Sequence, residues 1–245
     1  MIEQEAIFRG LEQLISLKKI VSVAGSSGTG KTTLALQLVG NLITQYRPYK
    51  NSCIWIQASE IFPNRRLNKI FEFFPEKLYY LKEHMFITPK KRICKNYHSQ
   101  TKIIENIVNG GMMLPPGLKF VVIDNISHHL RYQIFKADDI NRKISILNDF
   151  FNSYLLPLIL LCMREDIILI LIHEVSYDLN LAEKVPFLYK LYERIDSLII
   201  SLTRYFITND KKMSVVFNGI RWIFKYRLED EGFFWLDNFK VKPLH

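Results

Sequence analysis

Nearly unbroken apolar runs punctuate the chain: Ile20–Ala24, Cys53–Ile56, Phe120–Asp124 and Ile167–Ile172. A run without polar alternation suits a strand covered on both faces, as in a parallel sheet. Between these runs, apolar residues recur at helical spacing. Leu34, Leu38 and Leu42, with Val39 and Ile43, form one stripe. Ile144, Leu147, Phe151, Leu155 and Leu158 form another within Asn141–Met163, where Pro157 predicts a kink. Strand, helix, strand, helix implies an α/β fold with a mostly parallel central sheet flanked by helices. Three more β-branched runs, Ser197–Leu202, Met213–Phe217 and Arg221–Tyr226, follow one another across short polar gaps. They predict an antiparallel C-terminal extension of the sheet. Pro75 to Pro116 and Ser176 to Lys190 break the pattern and are expected to be irregular. No linker composition or repeat divides the chain, so one domain over 1–245 is the expectation.

The most apolar region, Leu155 to His173, is interrupted by Arg164, Glu165 and Asp166. Neither half reaches the ~18–20 residues of a membrane span. It reads as the end of a buried helix, a turn and a buried strand, with no membrane partner. The opening stretch, MIEQEAIFRG, is acidic and mixed, unlike a signal peptide. Cys53, Cys94 and Cys162 lie far apart and match no metal-ligand spacing. That pattern fits a reducing compartment, and a cytoplasmic location is expected. The net charge of +9 and pI near 9.3 fit a polyanionic partner. Many basic proteins bind no nucleic acid, so charge alone does not choose.

One motif carries specific chemistry. Gly25, Ser26, Ser27, Gly28, Thr29, Gly30, Lys31 and Thr32, followed by Thr33, match G-x-x-x-x-G-K-[ST] between a predicted strand and a predicted amphipathic helix. The glycines let successive N–H groups turn toward phosphate oxygens, and the helix start adds its positive end. Lys31 supplies a point charge for the β- and γ-phosphates, and the Thr32 hydroxyl a ligand for Mg²⁺. A second acidic element is needed. Phe120–Asp124 ends an apolar strand in one carboxylate, so Asp124 is the candidate to hold Mg²⁺. ATP and Mg²⁺ are the cofactors these residues call for.

Several stretches resemble the RadA-type recombinases and their archaeal RadB-like paralogues in the RecA superfamily. FVVIDNISHHLR (Phe120 to Arg131) resembles their second nucleotide motif, and CIWIQASEIFPNRRL (Cys53 to Leu67) the strand that carries their catalytic glutamate. HSQTKIIENI resembles the helix that follows, and DIILILIHEVSYD the strand entering their second DNA-binding loop. PFLYKLYERIDSLIISL and IRWIFKYRLEDEGF resemble their closing strands. The resemblance runs in order along nearly the whole chain, without the small N-terminal helical domain of full recombinases. The phosphate loop alone is equally similar to that of KaiC-like ATPases. The resemblance implies a RecA-like P-loop NTPase core and an ATP-binding accessory factor in recombination and repair. It also implies single-stranded DNA and a main RadA-type recombinase as partners, with homo-oligomers possible in the family.

Three departures bear on activity. A gapless alignment puts Ser59 where the family has its water-activating glutamate, with Glu60 one residue later. A one-residue slip turns a side chain to the other face of a strand, and serine cannot polarise water as a carboxylate does. Glu60 is therefore the candidate base, with slow hydrolysis expected. Gln57 also replaces a common acidic residue. Second, His173-Glu174 stands where the family has Asn-Gln sensing the γ-phosphate, and the anion Glu174 repels phosphate unless protonated or bridged. Glu174 is kept as a substitute catalytic carboxylate. The H-E-x-x-H zinc motif fails because Tyr177 occupies the second histidine position. Third, Leu188-Tyr189 replaces a flexible Gly-Gly pair.

By placement in the resemblance, His129, Arg131, Tyr132 and Lys136 (beside His128) belong to a first DNA loop, and Lys184 and Lys190 (beside Tyr177 and Tyr189) to a second. Cations for phosphates and rings for stacking fit single-stranded DNA. Lys90, Lys91, Arg92 and Lys95 form a further basic cluster. Lys211, Lys212, Lys225 and Arg227 are positioned in the resemblance to reach a neighbouring subunit's nucleotide. The alternatives are a KaiC-like regulatory ATPase and a non-hydrolysing filament-capping paralogue, both acting through protein partners.

Overall fold

The computed structural model describes residues 2–178, 183–187, 189–192, 195–205, 210–236 and 240–243. Helix α1 (Ile2–Lys18) precedes β1 (Ile20–Gly25), which runs through the phosphate loop into α2 (Lys31–Ile43). Then come β2 (Ser52–Gln57), α3 (Asn64–Ile70), α4 (Pro75–His84), β3 (Met85–Thr88), α5 (Tyr97–Val108), β4 (Leu118–Asp124) and α6 (Ser127–Phe135). A long helix follows: α7 (Ile140–Asp149), a π-helical stretch (Phe150–Leu155) and α8 (Leu156–Arg164). It leads to β5 (Ile168–His173), β6 (Val175–Asp178), β7 (Glu183–Pro186) and the short α9 (Tyr189–Tyr192). The chain closes on β8 (Leu198–Arg204), β9 (Lys211–Phe217), β10 (Ile220–Glu229), β11 (Gly232–Trp235) and β12 (Lys240–Pro243).

Ten strands form one sheet in the order β11-β10-β9-β8-β1-β5-β4-β2-β3, with β12 on β10. β1 is parallel to its neighbours β5 and β8, and β4 lies beyond β5. The phosphate-loop strand and the Asp124 strand are thus separated by one strand, and both end at the same edge. The apolar alternation splits between two layers, as the strand period requires. Val21, Val23 and Trp55 pack with Leu34 and Leu38 of α2 on one face. Ile54, Ile56, Val121 and Ile123 pack with Ile104 of α5 and Leu158 and Cys162 of α8 on the other. Helices therefore flank a mostly parallel central sheet.

Three expectations need correction. The Ser197–Leu202 run is not antiparallel: β8 is the last parallel strand, and antiparallel pairing starts at β9. The chain between β5 and β8 is long enough for the crossover that a parallel partner demands. The Pro75–Pro116 region is not irregular, because α4, β3 and α5 occupy most of it. Pro75 sits at the start of α4, and Asn96 with Ser99 forms a capping box for α5. Ser176 to Lys190 is not a plain loop: β6 and β7 pair as an antiparallel hairpin, Tyr177 opposite Lys184. Just before Pro157, which lies in the first turn of α8, the helix passes through the π-helical stretch Phe150–Leu155. Proline donates no hydrogen bond to the preceding turn, and the wider turn accommodates the loss.

By length and composition the helical run Ile140–Arg164 is apolar enough to cross a membrane. Here Phe150, Leu155, Leu158 and Cys162 from it are fully buried in the second core layer, while Ile140 and Met163 are exposed.

Candidate nucleotide-binding site

The sheet order brings the ends of β1, β2, β4 and β5 together around a pocket of about 720 Å³. The phosphate loop forms its floor. Gly28 and Gly30 have φ of 69° and 95°, a left-handed region open to glycine. A Cβ at Gly30 would lie 2.7 Å from Leu228 Cδ2 of β10, so the closing strands hold the loop from outside. Tyr226 strengthens that contact: its hydroxyl donates to the Thr29 carbonyl at 2.6 Å. Gly30 directly precedes α2, whose first turn carries no acidic residue, so its positive end is left for an anion.

Lys31 Nζ donates to the Gly25 carbonyl (2.8 Å) and the Ser26 carbonyl (3.1 Å). Burial lowers its pKa, while the charges of Asp124, Glu174 and Glu60 oppose that shift. Thr32 Oγ1 donates to Asp124 Oδ2 at 2.8 Å, so the two candidate Mg²⁺ ligands face each other. Asp124 is buried, and desolvation raises its carboxyl to about 6, with the Glu60 charge adding to the rise against the Thr32 hydrogen bond and Lys31. A hydroxyl and a buried carboxylate are oxygen donors suited to a hard divalent cation, whose charge would offset the carboxylate's desolvation. No cluster of three or more His, Cys, Asp or Glu occurs among the described residues. A P-loop metal needs none, since nucleotide phosphates and water complete its shell.

Ser59 and Glu60 both line the pocket. The Asp124 carbonyl accepts from Ala58 N (2.7 Å) and Ser59 N (3.3 Å), which ties the end of β2 to the end of β4. Glu60 follows directly, exposed to the pocket, and its charge is felt at both Lys31 and Asp124. Gln57 is occupied otherwise. Buried, it donates to the Pro89 and Arg92 carbonyls and accepts from Phe62 N.

Glu174 also lines the pocket, and its surroundings resolve the sign problem that its anion raised. Arg131 Nη1 and His128 Nδ1 each lie 3.2 Å from one of its carboxylate oxygens, and Asn125 Nδ2 lies at 3.3 Å. Its backbone N donates to Ser127 Oγ at 2.9 Å. The carboxylate is paired with the Arg131 guanidinium and hydrogen-bonded by its neighbours instead of facing the phosphates alone.

The residues expected to touch DNA are dispersed. His129 is buried, and its Nε2 donates to the carbonyls of Ala58 (2.9 Å) and Cys94 (3.1 Å), so it is a structural tie and not a DNA contact. The Cys94 and Ala58 carbonyls require a donor there, and burial lowers its pKa away from the charged form. Arg131 is engaged with Glu174 at the pocket and stacks over the Phe187 ring, 5.4 Å from its centroid. Lys184 lies 3.5 Å from Ser26 Oγ and lines the nucleotide pocket. Tyr132 and Lys136 remain on the surface as a pair, the ammonium 4.3 Å from the ring centroid. The Lys190 side chain lies outside the described residues. Lys90, Lys91, Arg92 and Lys95 are exposed between β3 and α5. Arg227 is paired with Asp210.

Two arginines at the phosphate loop and the pocket escape a reading by motif. Arg204, at the end of β8, donates to the Ser27 carbonyl, and Arg66 of α3 donates to the Glu229 carbonyl at 2.7 Å. Both contacts join segments more than 160 positions apart, so only the strand order discloses them. The β1–β8 register, which pairs Gly25 with Leu202, is the signal that sets Arg204 beside the loop.

No curated protein matches the chain. A family model described as an AAA domain matches residues 14–171, from α1 through the phosphate loop and the Asp124 strand into β5. That match carries the P-loop reading and does not reach the finer recombinase resemblance. With more than half its length matched, and with a phosphate loop and facing carboxylate built as such enzymes need, the chain belongs to the AAA domain family of P-loop ATPases.

Proposed function

We propose that the protein is a Mg²⁺-dependent ATPase of low turnover. The observation that carries this reading is the convergence of Lys31, Thr32, Asp124 and Glu60 on one pocket. The loop amides, the start of α2 and Lys31 bind the phosphates. Thr32 and Asp124 would hold Mg²⁺, which when bound neutralises phosphate charge. Glu60 accepts a proton from the water that attacks the γ-phosphorus; the bond from that phosphorus to the bridging oxygen breaks, and ADP and phosphate leave. Arg131 and His128 keep Glu174 from opposing the phosphates. Glu174 is followed at once by β6, so a change at the γ-phosphate is passed to the β6–β7 hairpin. The sequence resemblance favours a RecA-like form of this core.

We further propose that the ATPase acts on single-stranded DNA as an accessory recombination factor, alongside a RadA-type recombinase. The exposed Tyr132–Lys136 pair at the end of α6, the helix that brings His128 and Arg131 to the pocket, favours this reading, as does the basic charge. Anisotropy of a fluorescent oligothymidylate, with and without ATP and Mg²⁺ across a salt series, tests it. Affinity that falls steeply with salt and drops in Tyr132→Ala is expected. No binding at low salt leaves an ATPase that works through protein partners.

A further inference from the structure

A second cavity, of about 290 Å³, lies between the β6–β7 hairpin with α9 and the face of the sheet formed by β1, β8, β9 and β10. Beneath it, β8 and β9 turn Ser201, Thr203, Lys212 and Ser214 to this face, while Arg204 and Lys211 fall on the other. Ser201 pairs with Ser214, Thr203 with Lys212, and Val216 with Arg221 across the register, and all line the cavity save that their neighbours Leu202, Met213 and Val215 point into the apolar core. Hydroxyls and cations from three neighbouring strands are thus gathered under one cover. No carboxylate lines the cavity among the described residues. Arg221 Nε is buried with no hydrogen-bond partner, and neither Lys212 nor Arg221 is in an ion pair among the described residues. A buried donor left without a partner is costly, and two covered cations without an anion repel.

We infer that this cavity is a second anion site, separate from the nucleotide pocket, for a small phosphate-bearing molecule. Arg221 offers a planar fork and Lys212 a point charge, while Ser201, Ser214 and Thr203 add hydroxyl donors. That donor set exceeds what a carboxylate accepts and suits the several oxygens of a phosphate. The volume lies at the small end of ligand sites and holds nothing larger than a mononucleotide. Lys184 lines both this cavity and the nucleotide pocket, where it reaches Ser26. Occupancy here therefore bears on the phosphate loop through the hairpin. This site does not depend on the DNA reading.

The test is calorimetric titration of the full chain, with its nucleotide pocket saturated by a non-hydrolysable ATP analogue and Mg²⁺. The probes are inorganic phosphate, AMP and a short oligothymidylate. We expect phosphate or AMP to bind as one further equivalent. Lys212→Gln or Arg221→Gln should weaken it about tenfold, the size of a lost charge-assisted hydrogen bond, with analogue affinity unchanged in Arg221→Gln. Ser214→Val, which fills the cavity without removing charge, should weaken it likewise. If oligothymidylate alone binds with that sensitivity, the ligand is a nucleic-acid backbone and not a small phosphate-bearing molecule, which overturns the inference. Binding indifferent to all three substitutions, or no binding of any probe at millimolar concentration, overturns the inference.

Discussion

Arg131 and Glu174 are joined across the nucleotide pocket, Nη1 to Oε2 at 3.2 Å, although 43 positions separate them in sequence. The pair lets an acidic residue stand where a phosphate must approach. Arg131→Ala should leave Glu174 unbalanced and weaken ATP binding by about tenfold, as when one partner of a partly shielded charge pair is lost. Glu174→Gln in the same chain should restore most of that affinity. A double-mutant cycle by fluorescent-ATP titration measures the coupling; independent effects would show that the pair does not tune the pocket.

Lys31→Ala removes the ammonium that is hydrogen-bonded within the phosphate loop. ATP affinity should fall by about a hundredfold or more, since a buried charge-assisted contact to phosphate is among the stronger single interactions. Circular dichroism should be unchanged, because Lys31 bonds only to the loop carbonyls of Gly25 and Ser26.

Arg204→Ala probes a contact that no motif points to. Its guanidinium ties the end of β8 to Ser27 in the loop. Loss of the tie should weaken ATP binding by roughly three- to tenfold, the range of one hydrogen bond from a charged donor. Wild-type affinity in this variant would mean that the loop is shaped without β8.

His173 sets an acid limit on stability. Burial, with a smaller contribution from Lys31, lowers its pKa from 6.5 to about 3, and neither ring nitrogen has a hydrogen-bond partner. Below pH 6.5 the unfolded chain binds a proton that the folded chain refuses. Stability is therefore full above 6.5 and declines as pH falls toward 3, by ~1.4 kcal/mol per pH unit from this group. Denaturant unfolding at pH 5 and pH 7 should show a smaller loss in His173→Phe than in the wild type. Equal losses would contradict a neutral buried imidazole.

The phosphate loop, the Asp124 strand and the parallel core were legible because each rests on local pattern: glycine spacing, unbroken apolar runs, a helical stripe. What was not legible depends on which strands become neighbours. β8 reads like the strands after it, yet its parallel pairing with β1 brings Arg204 to the loop and Lys212 under the hairpin. His129 sits in a basic, aromatic stretch that suits DNA, but the turn of α6 points it inward to two carbonyls. Lys184 carries the right charge for DNA, and the pairing of β6 with β7 turns it to Ser26 instead.

Hydrolysis in this pocket depends on Glu60 as the carboxylate that activates water. Single-turnover hydrolysis of γ-labelled ATP with Mg²⁺, in wild type and Glu60→Gln, measures this directly. We predict slow turnover in the wild type and a loss of about a hundredfold or more in the variant, as for removal of a general base, with ATP affinity retained. Hydrolysis by Glu60→Gln at the wild-type rate would contradict the mechanism and leave a nucleotide binder with no catalytic carboxylate at that position.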